Sequence, residues 1–412
     1  MVNPFIVYIL AFGGTLLAYG FDWSTIYPRL SGDVVSFFIW TFLAALPLAA
    51  IVLPRLACVR RRKSGLPGWM TKAMVVGMLA DIAYAGGVPL FMVAAGSDFD
   101  YSQFGIPTFH VILVTFSSAY AAVRFSDFLI SRRTRYLVDA LIPLAFSILT
   151  FTRGTAMMSL IAFGFIWLSH HGMPRLRSMI AGVVLGIGAL YAFGVLGDIR
   201  SPGAIEEVGQ PSSAFKRSIV PAPYLWTYIY VTSPLANLEN TVDAGERPNG
   251  STAQFVAAEL VPDFIGKRIL EAMDVPREDV ARVAPTLNAA GIYARAFSYM
   301  GWEGADIMFF ALAGVVVVFA WLLSGSSYAV PAIATLNTLV LLCIFENMLS
   351  FTGMVMQLFW LLVFAQFFPR SRVGAAGQDC HDDAGEQGGS TRHQHGLDQQ
   401  GSGVASDLHG SL

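Results

Sequence analysis

Arg153 has the setting in this chain that most directly suggests chemistry. It stands in Thr152-Arg153-Gly154, between two apolar runs. Glycine lets the chain turn sharply there, and the helix that follows offers free N–H groups. A guanidinium beside a helix N-terminus suits an anion such as phosphate; the same side chain can instead snorkel to lipid headgroups. More cations follow at Arg200, Lys216, Arg217 and Arg295. A diphosphate leaving group gathers charge in the transition state and needs several cations or a metal. No dense acidic cluster lies near these residues, so an Arg-based site without metal or cofactor is expected. A solvated surface role is the alternative for each cation taken singly.

Candidate bases are His110, Glu303 and Glu346, each near an apolar run's end on the same side as Arg153. Asp81 falls near the middle of its apolar run, where a carboxylate is costly unless protonated or paired with a cation from another helix. Tyr224, Trp226 and Tyr228 recur at every second position. They suit either an aromatic belt at the membrane interface or a platform on which sugar rings stack. Asn288 and Asn237 could bond sugar hydroxyls.

The elements that must position these residues are set by composition. Of 412 residues, 55% are hydrophobic and 13% charged; the net charge is −2. Mean hydropathy is +0.58. A soluble domain carries about 25% charge, so this composition excludes an ordinary soluble enzyme, a disordered chain and a strongly basic nucleic-acid binder. It indicates an all-α polytopic membrane protein. No Walker motif, G-x-G-x-x-G, H-E-x-x-H or G-x-S-x-G is present, which argues against an ATP-driven pump or a soluble-type hydrolase. Cys58, Cys343 and Cys380 have neither metal-ligand spacing nor a disulfide pattern.

A bilayer asks for about 20 apolar residues per helix. Ten spans are expected, roughly at 4–21, 34–53, 72–95, 108–125, 136–150, 155–169, 178–197, 305–323, 329–350 and 352–368. The fifth and sixth form a tight hairpin through Phe151–Gly154. The first has no basic leader or cleavage site and reads as a retained span. Basic residues cluster after the second, fourth, sixth and tenth spans, which places both termini in the cytoplasm. Spans one to seven then occupy 1–197, and spans eight to ten 305–368.

Between them lies an outer loop, 198–304, which holds 22 of the 54 charged residues. Helices are expected in it at 251–273 and 277–300, broken by Pro262, Pro276 and Pro285. With no cysteine inside it, its order must come from docking on the membrane domain. The tail 369–412 is polar and Gly-rich and is expected to be a disordered cytoplasmic segment. His381, His393 and His395 in it read as solvated.

Three stretches carry a resemblance to a known family: Phe104-Gly105-Ile106-Pro107-Thr108-Phe109-His110, Thr152-Arg153-Gly154, and Asn288–Gly304, reading NAAGIYARAFSYMGWEG. With the ten-span layout and large outer loop, they resemble the Wzy-type O-antigen and oligosaccharide repeat-unit polymerases. In that family an Asp often precedes the first Gly of the late-span entry; Met300 stands there here. The resemblance implies a GT-C-like, metal-independent glycosyltransferase of the bacterial inner membrane, with a periplasmic loop. It would move a growing glycan from polyprenyl diphosphate to a new lipid-linked repeat unit.

On that view Arg153 and Arg295 hold the donor diphosphate, supported by Lys216 and Arg217. Glu303 or His110 is the base, and Tyr224, Trp226, Tyr228 and Asn288 meet the sugars. Expected partners are the lipid-linked oligosaccharide, the bilayer and a chain-length regulator protein, with no nucleic acid. An O-antigen ligase using the same donor is the nearest alternative. A secondary transporter or lipid-linked oligosaccharide flippase is the alternative of another class, suited by Asp81 and the Gly86-Gly87-Val88-Pro89 kink.

Overall fold

The computed structural model describes residues 1–96, 104–172, 175–200, 203–245 and 250–369. The regular elements among these residues are all helices, with one isolated β-bridge between Ser24 and Pro211. The expected disordered tail, with Cys380 and its histidines, lies outside the described residues, apart from Pro369.

The helices run in the order α1 (Pro4–Tyr19), α2 (Gly32–Ala57), α3 (Trp69–Tyr84), α4 (Pro89–Ala94), α5 (Phe109–Ser131), α6 (Thr134–Leu149), α7 (Arg153–His171) and α8 (Leu176–Arg200). The long segment that follows holds α9 (Ala204–Gly209), α10 (Ser213–Arg217), α11 (Tyr224–Asp243), α12 (Thr252–Phe255), a π-turn (Val256–Leu260) and α13 (Asp263–Ala272). The chain closes with α14 (Ala294–Leu323), α15 (Ala329–Leu342) and α16 (Thr352–Phe367). Among the described residues five stretches are long and apolar enough to cross a membrane: Gly32–Ala57, Trp69–Val93, Phe109–Ser131, Leu176–Ile199 and Ala294–Leu323. Shorter apolar helices are α1, α15 and α16. Membrane embedding follows from these helices and from their exposed apolar faces, such as Val183, Val184 and Leu185 on α8.

Local chemistry explains the ends. Asn3 caps α1 by accepting from the Phe5 N–H, with Pro4 at the first helical position. Ser31 caps α2 by accepting from Val34, and Asp33 sits in its first turn. Pro89 starts α4 after the Gly86 turn, so the expected third span is two pieces.

At one end of the bundle a polar knot joins four segments. Ser64 and Arg124 both bond Asp127, and Arg124 Nη2 also donates to the Leu66 carbonyl. Tyr328 Oη donates to the Phe368 carbonyl at the same end. The long segment docks at the opposite end. Ser24 Oγ donates to the Gly209 carbonyl, Ser31 N–H to Glu239, and Asp263 N–H to the Ser350 carbonyl.

One sequence pattern is explained and four expectations change. Residues 223–230 alternate like a strand but lie in the 20-residue α11, because Leu225, Tyr228, Ile229 and Thr232 share a buried helical face. The helix expected at 251–273 is split by the π-turn and Pro262, and that expected at 277–300 is irregular until Ala294. The helix of the eighth span starts at Ala294 rather than 305 and kinks at Gly301 (φ 62°, ψ −147°), so Arg295 and Glu303 belong to it. The helix of the ninth ends at Leu342, leaving Glu346 in the connection to α16.

Candidate active site

The sequence Phe104–His110 makes a tight entry into α5. Gly105 takes φ +87°, and Ile106 donates its N–H to Asp81 Oδ1 at 2.7 Å. One turn on, His110 Nδ1 lies 2.5 Å from Asp81 Oδ2. Asp81 sits in the last turn of α3, which stops at Tyr84, and at the middle of the apolar stretch Trp69–Val93. Its side chain is fully buried, and the imidazole is 18% exposed. Both carboxylate oxygens are therefore committed. With the carboxylate ionised, His110 donates from Nδ1 and keeps Nε2 as an acceptor. Phe104 packs edge-on against the ring, 5.3 Å between centroids, and Phe146 lies at 6.5 Å. A Cβ on Gly105 would fall 2.6 Å from Asp81 Oδ1 and 2.8 Å from His110 Nδ1, so only glycine permits this pairing.

Phe146 belongs to the last turns of α6, and its carbonyl accepts from Thr150. The chain then turns through Phe151 at φ +58° and enters α7 at Arg153. Thr152 Oγ1 donates to the Ser147 carbonyl and fixes this turn. The Arg153 guanidinium is 5.9 Å from the Phe151 ring centroid; the residue is exposed, and no carboxylate pairs with it among the described residues. Thr108, just before α5, also has φ +67°. Positive φ at non-glycine residues is costly and clusters at functional sites. Here two such residues flank His110 and Arg153.

Arg295 has a different environment. Its Nη1 lies 3.2 Å from Glu346 Oε1 and 4.0 Å from Glu259 Oε1. Glu259, on the π-turn, is fully buried and also meets Arg277 Nη2 at 3.2 Å. Asn347 Nδ2 donates to Glu259 Oε2 at 2.9 Å and to its carbonyl at 2.8 Å. Arg277 reaches Asp263 at 3.6 Å. Burial pushes the Glu259 and Asp263 carboxyls up, and the two guanidiniums pull Glu259 partly back. Three carboxylates already surround two Arg side chains, so this cluster is a poor diphosphate cradle. It ties the π-turn, the 273–293 stretch, α14 and the α15–α16 connection together.

The remaining expected site residues do not converge. Lys216 and Arg217 end α10, where Arg217 Nε donates to the Ser213 carbonyl, and no contact joins them to Arg153 or Arg295 among the described residues. Glu303 is exposed beyond the Gly301 kink and carries no ion pair among the described residues. Tyr228 is 4% exposed, accepting from the Trp23 N–H, so it cannot offer a stacking face. Trp226 Nε1 donates to Asp198 at 2.6 Å and Tyr224 Oη to the Ile187 carbonyl, which pins α11 to α8. Asn288 is exposed. Asn237 is buried and clamps 283–289 by donating to the Leu287 and Ala289 carbonyls.

Asp81 as the partner of His110, and Glu259 and Arg277 as partners of Arg295, are not apparent from the sequence. The glycines and proline at 86–89 were a signal that α3 ends early and leaves Asp81 in its last turn. Nothing local signals the Glu259 pairing. No protein-family model, curated protein or solved structure matches this chain.

Proposed function

We propose that this protein is a membrane glycosyltransferase that lengthens polysaccharide, transferring a growing glycan from polyprenyl diphosphate to a lipid-linked repeat unit. The observation that carries the reading is the Asp81–His110 pair, walled by the same α6 end that leads into Arg153. His110 Nε2 takes the proton of the acceptor hydroxyl. The freed oxygen attacks the anomeric carbon, and the bond from that carbon to the diphosphate oxygen breaks. Asp81 stabilises the imidazolium that forms, as a buried carboxylate does in other His-based sites. Arg153 and the free N–H groups at the start of α7 meet the charge on the departing diphosphate. The leaving group is good enough to need no separate acid. Of the three candidate bases His110 is favoured, because Glu303 has no ion-pair partner among the described residues and Glu346 is held in the ion pair with Arg295.

The reading includes the expected frame: ten spans, a GT-C-like architecture, both termini cytoplasmic and the long segment periplasmic in a bacterial inner membrane. The polyprenyl tail would enter laterally between helices, and a chain-length regulator is an expected partner. An O-antigen ligase would use the same chemistry on another acceptor. One observation favours a proton-coupled transporter or flippase instead: Asp81 is buried directly before the α3–α4 break.

Purified protein with labelled lipid-diphosphate oligosaccharide in detergent separates these readings. A polymerase makes a ladder of longer chains. A ligase leaves the repeats unextended and instead transfers them to a lipid A-core acceptor. A transporter makes no new product in detergent, and that result would overturn the transferase reading.

A further inference from the structure

α13 differs from the rest of the long segment in what it leaves uncovered. Val256, Phe264, Ile265, Ile269 and Met273, in or beside this helix, are all exposed. Elsewhere between 203 and 293 only Ile219 and Tyr230 are exposed large apolar residues among the described residues. Apolar exposure gathered in one place marks a contact surface.

The spacing sorts the helix into three sides, since successive residues turn by about 100°. Gly266 and Leu270, four apart, are buried. A Cβ on Gly266 would overlap the Ala257 carbonyl oxygen, so this side is seated tightly on the π-turn. Ile265, Ile269 and Met273 keep the same spacing one row over and are exposed. Lys267 and Glu271, also exposed, lie two positions beyond Ile265 and Ile269, about 200° round the helix. One side therefore meets protein, one is apolar and uncovered, and the side facing away from the apolar one is charged.

The height of α13 on the bundle says what covers the apolar side. The Asp263 N–H donates to the Ser350 carbonyl at 2.8 Å, which fixes the first turn of α13 beside the start of α16. α16 is an apolar helix whose far end meets the Arg124 knot, where Phe368 accepts from Tyr328. Its 16 residues rise about 24 Å, most of the roughly 30 Å hydrocarbon core of a bilayer. Ser350 thus stands at the edge of the hydrocarbon, and α13 with it. At that depth an uncovered apolar stripe meets acyl chains, and the charged side meets water. Arg268, three positions from Ile265, flanks the stripe and has no ion-pair partner among the described residues; nor has Lys267. Both cations suit headgroup phosphates.

We infer that α13 lies in the plane of the membrane, with Ile265, Ile269 and Met273 among the acyl chains of one leaflet and Lys267 and Glu271 in water. The partner of this surface is lipid. The helix anchors the middle of the long segment, and through the π-turn it seats Glu259 against Arg277 and Arg295. The inference rests on the membrane-embedded fold and not on the glycosyltransferase reading.

The test uses the full chain in nanodiscs of phosphatidylethanolamine and phosphatidylglycerol. Cys58→Ser and Cys380→Ser clear the background, and the buried Cys343 stays. Ile265→Cys, Ile269→Cys, Lys267→Cys and Glu271→Cys, made singly, each take a nitroxide label. All four positions are exposed, so the labels leave the packing intact. Collisions of the label are compared between oxygen, which concentrates in lipid, and a water-soluble nickel chelate. The labels at Ile265→Cys and Ile269→Cys should favour oxygen, and those at Lys267→Cys and Glu271→Cys should favour nickel. Nickel favoured at all four positions puts α13 in water and overturns the inference. Labels at Ile265→Cys and Ile269→Cys shielded from both reagents overturn it too, because protein rather than lipid then covers the stripe.

Discussion

Asp81 and His110 are 29 positions apart, yet a carboxylate oxygen of one lies 2.5 Å from Nδ1 of the other. The pair exists because α3 stops at Tyr84 and α5 starts only at Phe109, so both side chains sit at the same end of antiparallel neighbours. Asp81 is closed off from water and His110 is not. In the proposed reaction that asymmetry separates a group that orients from a group that reacts.

His110→Gln should lower the chain-lengthening rate by about 10²- to 10⁴-fold, the usual worth of a general base. Asp81→Asn should cost on the order of 10²-fold or more, because an amide can hold the imidazole in the wrong tautomer. Rates with labelled lipid-linked substrate measure both. Nitrogen NMR of the histidine ring should show the proton on Nδ1 in the wild type and a shifted tautomer mixture in Asp81→Asn. Wild-type turnover in either variant removes the dyad from the mechanism.

Gly105→Ala is a sharper probe, since it adds one methyl group and removes no functional atom. The new Cβ would overlap both members of the pair, and φ +87° strains any L-residue. The rate should fall nearly as far as in His110→Gln. Gly164→Ala is the control. Nothing lies within 4 Å of its Cβ position, and it sits inside α7, so activity should stay near wild type.

The π-turn cluster predicts a pH dependence of stability. Burial raises the Glu259 and Asp263 carboxyls above their unfolded values, near 4. A raised folded value favours the protonated fold, so this contribution is full below the unfolded value and is lost as pH rises through the folded one. Asp279, lowered by Arg282, has the opposite sign but is exposed and screened. Protection of the amides across 256–272, as exchange corrected for its intrinsic pH dependence, should therefore be greater near pH 4 than near pH 7. Glu259→Gln should flatten the trend, and an unchanged slope in that variant would show that other groups set it.

The sequence showed its helices more clearly than its site. Apolar runs marked the helices from α1 to α8 and from α14 to α16, with α3 and α4 read as one, because burial in lipid or core needs only composition. The hairpin at Thr152-Arg153-Gly154 was also legible, since its apolar flanks are unbroken. α11 was not: Tyr224, Trp226, Tyr228 and Tyr230 alternate, and only packing on Trp23 and α8 shows that they leave a helix in different directions. Side-chain pairs were least legible. Glu259 and Asn347 are 88 positions apart, and a tally of loop charges cannot reveal such a contact.

Arg153 and Arg295 were equivalent in the sequence, and the structure predicts that their loss has different consequences. Arg295 is 15% exposed and bound to two carboxylates, one of them fully buried. Arg295→Ala leaves Glu259 with Arg277 and Asn347 alone, and should cost about 1–3 kcal/mol of stability, below the roughly 3–5 kcal/mol of a fully buried pair because water can reach the site. Arg153 holds no carboxylate among the described residues, so Arg153→Ala should insert and melt like the wild type while failing to make long chains. Arg153→Lys should recover only part of the rate, since an ammonium cannot bind phosphate oxygens in a bidentate fork. Melting curves and chain-length ladders on the three variants decide the matter. A normal ladder from Arg153→Ala removes it from the donor site, and a ladder lost in Arg295→Ala at unchanged melting temperature returns Arg295 to that role.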